Sequence, residues 1–521
     1  MAHRWHRRSP IKWHHLLPIA KATLRALPKV LDSAAVPGTI AGYQPPVRDP
    51  MPTPGKITRC RGPLSRRSFL EIGSLAACGV GLSDLLRLRA LGGSAGPSAP
   101  DTAVILVWLP GGPPHMETYD MKPDAPSEYR GIFNPIRTNV RGIEVCELLP
   151  LHAKCADKYT LIRSVSHEFS DHGGGHKRFL TGYKPKSPVD TVNDYPMVGS
   201  VVSKLREQVK TGVPNYVAAT DEGRQGVDVF AFGSAYLGSA TTPFFVAGDP
   251  SSPSFKVQNL GLTPDMAERL DDRAHLLAGL DRLRRDVDKS GLMDTMDQFN
   301  RQALDLLMSD KARAAFDLSR EPAKLRERYG NHAFGQRAIM ARRLVEAGTS
   351  FVTVVMENPG GTMPRYGTYN WDSHAVNCHL FDDARWRFPY YDQAVTALIE
   401  DLYARGLDKK VLLVVTGEFG RTPRLSTTVG SQTGVTQPGR DHWPGSMSML
   451  VSGGGMRTGQ VVGATDARGE APIERALAPE DLWATVYRHL GIDHTQSFLD
   501  HSGRPFPILP GGEPIAELLP V

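Results

Sequence analysis

Residues 103–112, which read AVILVWLPGG, decide the fold of this chain. The unbroken apolar run lacks the alternation of a strand with one wet face, and it is typical of a strand that is buried on both faces of a sheet. The Pro-Gly-Gly that follows it supplies the turn that ends the strand. Because a strand buried on both faces needs helices on both sides, this segment predicts an α/β fold.

Similar apolar runs recur along the chain and alternate with amphipathic helical patterns. Further strands are predicted at 159–163, 215–219, 351–356, 411–416 and 447–451. Helices are predicted at 195–208, 264–318, 335–347, 390–405 and 479–490. The alternation predicts a three-layer α/β/α sandwich around a doubly wound sheet, with a helical insertion at about 220–320.

Upstream of this domain, residues 65–70 read SRRSFL and lead into an apolar run. Arg66 and Arg67 followed at once by Phe69 and Leu70 are typical of a twin-arginine signal, and the run is too short and too rich in glycine for a membrane span. We therefore predict a twin-arginine signal segment at 51–99 and no stable transmembrane span. The twin-arginine translocase is the predicted partner, and the predicted location is the periplasm or the cell surface.

Residues 1–50 are basic, rich in His and Pro, and contain no plausible core. Two interpretations stay open: a disordered extension, or a mis-assigned start with translation beginning at Met51, which would give a leader of ordinary length and is favoured. Residues 75–78 also resemble a lipoprotein cleavage box that would leave Cys78 lipidated. The short apolar run before Cys78 favours an ordinary cysteine within the leader.

Removing the leader reverses the sign of the net charge. The whole chain has 61 Lys+Arg and 55 Asp+Glu, a net charge of +6. Residues 1–100 hold 15 and 4 of these, which leaves 46 and 51, or a net charge of −5, for residues 101–521. A mildly acidic domain without a basic stripe excludes nucleic acid as the expected partner.

The cysteines of the exported domain are Cys146, Cys155 and Cys378. An odd number without a CxxC motif excludes a disulfide framework and a thiolate zinc site. Cys146 and Cys155 could pair, or both could be buried thiols.

Unusual polar clusters follow the predicted strands or stand directly before one. They occupy residues 110–120, 167–178, 370–374, 417–423 and 439–444. Ligands of open α/β sheets bind beyond the carboxyl ends of the strands, so these clusters predict one site at one edge of the sheet.

Imidazoles and carboxylates together indicate a divalent metal, with zinc, manganese or iron favoured and calcium or magnesium as alternatives. The predicted ligands are His172, Asp372, His374, Asp441 and His442. The alternative is that these residues have structural roles: the imidazoles bind carbonyl groups, Asp372 caps a helix and Asp441 is an ordinary turn residue.

An anionic group is the expected partner of that metal. Arg178 and Arg421 are predicted to hold it by fork-like hydrogen bonds, although an ion pair of Arg421 with Glu418 is the rival interpretation. A helix expected after the glycine run 173–175 would add an anion-binding N-terminus, with a plain flexible turn as its alternative.

In their order along the chain, these motifs resemble the bacterial domain-of-unknown-function 1501 family. The motifs are PGG at 110–112, FLTG at 179–182, WDSH at 371–374, GEFGRTP at 417–423 and GRDHW at 439–443. The resemblance covers residues 65–521 and implies an alkaline phosphatase/sulfatase-like domain over 100–521. Enzymes of that superfamily use one or two metals and a nucleophile at a helix start to transfer phosphoryl or sulfuryl groups.

The sequence departs from the superfamily pattern at several positions. The first strand ends in residues 110–112 instead of a metal-binding Asp, and a late strand ends in GEFG at 417–420 instead of Ser-Asp-His-Gly. Glu418 could replace the carboxylate there, but Phe419 cannot replace the imidazole. Ser-Asp-His-Gly does occur at 170–173, too early in the chain to be the counterpart, and no Cys-x-Pro-x-Arg supplies a formylglycine. A standard two-metal phosphatase is therefore not expected.

Two functions remain open. The leading hypothesis is an exported hydrolase of phosphate or sulfate esters with a divalent-metal site at the strand ends. In it Glu418 is a catalytic carboxylate or additional ligand, His176 the acid/base, Arg421 the anion clamp and water the nucleophile. Thr181 is the one hydroxyl at a suggestive position, and turn chemistry explains it equally well. The alternative is a catalytically degenerate binding or scaffold protein for an anionic polysaccharide at the cell surface, which the missing ligands favour.

Overall fold

The computed structural model describes residues 101–189, 192–209, 211–223, 230–257 and 309–520. The predicted twin-arginine signal, the start at Met51 and Cys78 lie outside the described residues, as does most of the helix predicted at 264–318. Within the described part of the chain, every helix is too short or too polar to cross a membrane.

An eight-stranded sheet forms the centre of the domain. In chain order its strands are β1 (Ala103–Trp108), β2 (Tyr159–Val165), β3 (Tyr216–Thr220), β4 (Phe244–Ala247), β5 (Phe351–Val355), β6 (Val411–Thr416), β7 (Met447–Gly453) and β8 (Gln460–Val462). They lie side by side in the order β8-β2-β7-β6-β1-β5-β3-β4. All neighbouring pairs are parallel except those of β7, which runs antiparallel to both β2 and β6. The apolar segment 103–108 is therefore an inner strand of the sheet.

Both faces of β1 are buried against helices. Ile105 and Val107 belong to one hydrophobic core, while Leu106 and Trp108 belong to the other, and all four side chains are fully buried. The helices are α1 (Ser127–Arg130), α2 (Pro150–Lys154), α3 (His172–Thr181), α4 (Val198–Leu205), α5 (Asp310–Phe316), α6 (Ala323–Tyr329), α7 (Ala333–Glu346), α8 (Leu380–Ala404) and α9 (Pro479–His489). Side chains of α7 and α8 fill the first core and those of α3, α4 and α9 fill the second. The predicted three-layer α/β/α sandwich is confirmed.

Helix α8 and strand β4 differ from the sequence-based expectation, and β8, α1, α2 and α6 were not predicted. Helix α8 begins at Leu380, ten residues before the predicted start, and carries Pro389 inside it. A proline lacks the N–H of a helix interior, so the pattern suggested a start just after Pro389. The better signal was His379, whose side chain accepts from the Asp382 N–H, followed by acidic residues that favour a first turn.

The predicted insertion at 220–320 is described only in part. Residues 230–257 contribute β4 to the edge of the main sheet, and α5 lies within the helix predicted at 264–318. Strand β4 has four residues and a mostly half-buried pattern, so no long apolar run announced it. The three cysteines of the domain are buried and unpaired, so Cys146 and Cys155 form no disulfide.

The antiparallel direction of β7 matters for the site. Because β7 runs against β6, the segment that enters β7 lies at the same edge of the sheet as the segment that leaves β6. These two segments pair as a short antiparallel ribbon, with His442 opposite Arg421. The polar cluster at 439–444, which precedes β7, therefore lies beside the cluster at 417–423, which follows β6.

Candidate metal centre

Four predicted ligands converge at the carboxyl edge of the sheet. His172 is the first residue of α3, Asp372 and His374 lie in the loop between β5 and α8, and His442 lies in the ribbon before β7. Asp372 Oδ1 lies 2.7 Å from His374 Nε2, 3.1 Å from His442 Nε2 and 3.4 Å from His172 Nε2. Potential ligand atoms of all four residues lie within 4.8 Å of one another, a spacing that suits one metal ion. We call these four residues the ligand cluster.

Helix α3 brings His172 to the cluster. Asp171 caps the helix by accepting a hydrogen bond of 2.6 Å from the Gly174 N–H. A Cβ on Gly173 would collide with the carbonyl oxygen of Pro188, so this glycine permits close packing. Helix α3 thus begins at His172 and contains the glycine run 173–175 instead of following it, and the Gly174 N–H at its start is bonded to Asp171.

Gly111 lets the loop that carries Asp372 approach the end of β1. Its φ is +106°, and a Cβ at this position would lie 2.5 Å from the Asp372 nitrogen. The Gly111 N–H donates a hydrogen bond of 2.8 Å to Glu418 Oε1. Gly111 therefore anchors a buried carboxylate and admits the neighbouring loop at the end of β1.

Each imidazole of the ligand cluster directs its Nδ1 atom at an acceptor. The pairs are His172 with Glu418 Oε1 at 2.8 Å, His374 with Asp441 Oδ1 at 2.9 Å, and His442 with the Ser170 carbonyl oxygen at 2.6 Å. Carboxylates and carbonyls only accept, so Nδ1 carries the proton of each neutral ring. The three Nε2 atoms then offer lone pairs around Asp372 Oδ1, and those of His374 and His442 are 2.7 Å apart.

This donor set fits a divalent metal. Imidazole ligands whose other nitrogen donates to a carboxylate or carbonyl are the usual arrangement at protein metal sites, and three nitrogens with one oxygen suit zinc, manganese or iron. The side chains of the ligand cluster are 16–31% exposed, so one side of the site is open to solvent. An open side is typical of catalytic metal sites, whereas structural sites are closed.

The charges of the site favour a cation at this position. Burial opposes ionisation of Asp372, but hydrogen bonds from His172, His374 and His442 outweigh it and hold its pKa well below the usual range. Burial alone would lower the pKa of His172, yet hydrogen bonds to Asp372 and Glu418 raise it to about 10. The site therefore binds a proton strongly, and a metal ion would take that proton's place.

Glu418 and His176 lie behind His172, fully buried. Burial would raise the pKa of Glu418, but His176 and His172 outweigh it and lower it to about 2. His176 Nε2 lies 3.7 Å from Glu418 Oε1, and with His172 these residues form a second group of possible ligands. Because His176 is fully buried, it does not reach the open side where the predicted acid/base would meet a substrate.

Arg421 contacts the ligand cluster, but in a different way from the prediction. Its side chain is fully buried, and Nη2 donates to Asp372 Oδ1 at 2.6 Å and to the Gly111 carbonyl. Its Nε donates to the Gly112 carbonyl at 3.0 Å. Arg421 therefore fixes the carboxylate of Asp372, and the rival ion pair with Glu418 does not form, since Glu418 pairs with His172.

Arg178, the other predicted anion-binding residue, is committed elsewhere. Its guanidinium donates to Glu480 at 2.7 Å, to Glu168 at 3.2 Å and to the Gly182 carbonyl at 2.9 Å. These contacts join the end of α3 to the start of α9, which is a structural task.

Asp441 is not a direct member of the ligand cluster. Its side chain is 67% exposed, and Oδ1 accepts from His374 Nδ1 at 2.9 Å and from the His442 N–H at 2.9 Å. Asp441 thus orients His374 and His442 by accepting a hydrogen bond from each of them. Thr181 donates to the Lys177 carbonyl at 2.6 Å, in line with the turn interpretation.

The sequence did not indicate two further contacts of the site. Asn377 Nδ2 donates to Asp372 Oδ2 at 2.8 Å, and the Ser170 carbonyl accepts from His442. Asn377 follows Asp372 by five residues in the same loop, a spacing that could have suggested it. The Ser170 contact uses the backbone and leaves no signal in residue type.

The comparisons with known proteins agree with the motif resemblance. The family described as "Protein of unknown function (DUF1501)" matches residues 101–519. No curated protein matches the chain in sequence.

Solved structures share its fold only distantly. The lipoteichoic acid synthase LtaP from Listeria monocytogenes is 10% identical, over 77% of this chain and 74% of that chain, with a TM-score of 0.31. The PsFucS1 sulfatase from Pseudoalteromonas sp. is 13% identical, over 81% and 72%, with a TM-score of 0.32. The alkaline phosphatase from the Antarctic bacterium TAB5 is 11% identical, over 76% and 98%, with a TM-score of 0.32. Likenesses of this size carry no argument about activity. The family match over residues 101–519 is of a different kind, and it shows that the chain belongs to the DUF1501 family of proteins of unknown function.

Proposed function

We propose that this chain is an exported hydrolase of phosphate or sulfate esters with one divalent metal in the ligand cluster. One observation carries the proposal: three imidazoles commit Nδ1 to acceptors and direct Nε2 at a shared carboxylate oxygen. Three lone pairs facing one anionic oxygen repel each other unless a cation lies between them. The twin-arginine leader with Arg66 and Arg67 supports export, because folded export suits a site assembled from loops far apart in the chain.

The residues of the chain divide the work around that metal. When bound, a divalent metal supplies Lewis acidity, which polarises an ester oxygen and lowers the pKa of water to near neutrality. His172, Asp372, His374 and His442 would hold it. Arg421 fixes the Asp372 carboxylate and Asp441 fixes the His374 ring, so both act as positioning residues.

The open side of the ligand cluster is where an ester would bind. Water attacks the phosphorus or sulfur atom, the bond from that atom to the leaving oxygen breaks, and the leaving oxygen takes a proton from water. The fully buried His176 takes no part in this step, in contrast to the role predicted for it from the sequence.

Metal analysis of the protein purified after export tests the proposal. We expect about one divalent metal per chain and hydrolysis of a nitrophenyl phosphate or sulfate panel, both lost in His442→Ala. His501→Ala, at an exposed histidine between the short antiparallel strands Ser497–Leu499 and Pro505–Pro507, is the matched control and should retain both. A metal-free protein that hydrolyses no ester but binds anionic polysaccharide would overturn the proposal in favour of a scaffold.

A further inference from the structure

The ligand cluster is surrounded by more negative than positive charge. The ligand cluster contains one carboxylate, Asp372, and its imidazoles contact two more, Glu418 and Asp441. Arg421 is the guanidinium in contact with it, and its donors face Asp372 and backbone carbonyls. When the three ligand imidazoles are neutral, as metal binding requires, the three carboxylates and Arg421 leave two uncompensated negative charges, which a single divalent cation neutralises.

Neither of the two arginines that were predicted to bind an anion is free to compensate further negative charge. Arg421 is fully buried beneath Asp372, so it cannot turn toward a substrate without abandoning that carboxylate. Arg178 is held by Glu168 and Glu480. A loaded site thus has about zero net charge and no spare guanidinium from either predicted clamp.

A substrate brings its own charge to such a site. Above about pH 7 a phosphate monoester carries close to two negative charges, whereas sulfate monoesters and phosphodiesters carry one. Because the loaded site is about neutral, a singly charged ester leaves it with one net negative charge, whereas a doubly charged ester leaves two beside the exposed carboxylate of Asp441, with no further cation among the described residues in contact with the ligand cluster. We propose that the site selects singly charged tetrahedral esters, either sulfate monoesters or phosphodiesters, over doubly charged phosphate monoesters. This inference rests on the proposed hydrolase function.

Ligand binding tests the inference apart from turnover. With the full exported protein at saturating metal, calorimetric titration compares methyl sulfate and dimethyl phosphate with methyl phosphate. We expect either singly charged ligand to bind at least about tenfold more tightly than methyl phosphate. Equal or tighter binding of methyl phosphate, or no binding of any of the three, would overturn the inference. Whichever of methyl sulfate and dimethyl phosphate binds more tightly shows whether the site prefers sulfate monoesters or phosphodiesters.

Asp441→Asn shows whether charge causes the selectivity. The substitution removes one negative charge while Asn Oδ1 can still accept from His374 Nδ1. At saturating metal we expect the preference for singly charged ligands to shrink by roughly fivefold, through tighter methyl phosphate binding. Asp310→Asn removes the same charge from an almost fully exposed helix start and should change nothing. An unchanged preference in Asp441→Asn would overturn the charge argument.

Hydrolysis separates this inference from the proposed function. Kinetics on nitrophenyl sulfate, bis-nitrophenyl phosphate and nitrophenyl phosphate should follow the binding order. Turnover with a preference for the monoester would refute the inference and keep the hydrolase. Selective binding of singly charged ligands with no turnover of any ester would refute the hydrolase and keep the charge selectivity.

Discussion

A histidine faces a carboxylate both in the ligand cluster and in a second, buried region of the molecule, but the second region does not resemble a metal site. In the first, the ligand cluster, each Nδ1 faces an acceptor and each Nε2 faces Asp372. In the second, which we call the His152 network, His152 Nδ1 lies 2.6 Å from Asp392 Oδ1 and Nε2 lies 3.1 Å from the Tyr119 hydroxyl. That hydroxyl lies 2.6 Å from the Tyr391 hydroxyl.

The partner of the second nitrogen separates the two regions. A tyrosine hydroxyl can donate to a neutral imidazole, so His152 is satisfied on both sides without an ion. Asp392 also accepts from the Leu151 and His152 N–H groups at 2.8 Å each, so it ties the start of α2 to α8. The His152 network is nearly inaccessible to solvent, whereas the ligand cluster is partly open. A histidine–carboxylate pair by itself therefore says little about metal binding.

The largest expected effect is the loss of metal on removing the shared carboxylate. Asp372→Asn takes away the one anionic ligand, and we expect metal affinity to fall by about 4 kcal/mol, or roughly a thousandfold. Competition with a chromophoric chelator measures it. Asp392→Asn is the matched control in the His152 network and should retain full affinity. If both variants lose metal alike, the distinction between the regions fails.

The reverse pattern is expected for stability. Asp392→Asn replaces a buried acceptor of three hydrogen bonds with a group that presents donors to donors, and we expect a loss of about 3 kcal/mol in the free energy of unfolding. Urea unfolding of the metal-free protein measures the change. Asp372→Asn should lose less than half as much in the same experiment. A larger loss in Asp372→Asn would mean that the ligand cluster is primarily structural.

Sequence patterns could predict the sandwich because each buried strand is a local apolar run. Strand β4 escaped prediction because it is short and half-buried, and the start of α8 escaped because Pro389 masked it. The ligand types were also predictable, since polar residues gather where strands end. Their roles were not: whether Arg421 binds substrate or Asp372 depends on contacts between residues 49 positions apart. The same holds for Asp441, whose place behind His374 depends on tertiary structure.

Asp441 should show the intermediate effect of a residue that orients ligands. Asp441→Asn weakens the hydrogen bond to His374 Nδ1, and loss of such a partner lowers metal affinity by about 10–100-fold. Because the side chain is 67% exposed, we expect unfolding to change by less than about 0.5 kcal/mol. Chelator competition and urea unfolding measure the two quantities. A loss of affinity as large as that of Asp372→Asn would make Asp441 a direct ligand.

The change expected for a single pH unit is the smallest, about tenfold in metal affinity, and it too separates the regions. The raised pKa of His172, about 10, means that below that pH a metal must displace a proton, and above it no proton competes. Apparent metal affinity should therefore rise about tenfold per pH unit between about pH 7 and 9, with one proton released per metal bound. Calorimetry in buffers of different ionisation enthalpy counts that proton. Asp392→Asn should keep the slope, since His152 takes no part in the exchange. A slope near zero would place the competing proton elsewhere and remove His172 from the ligand cluster.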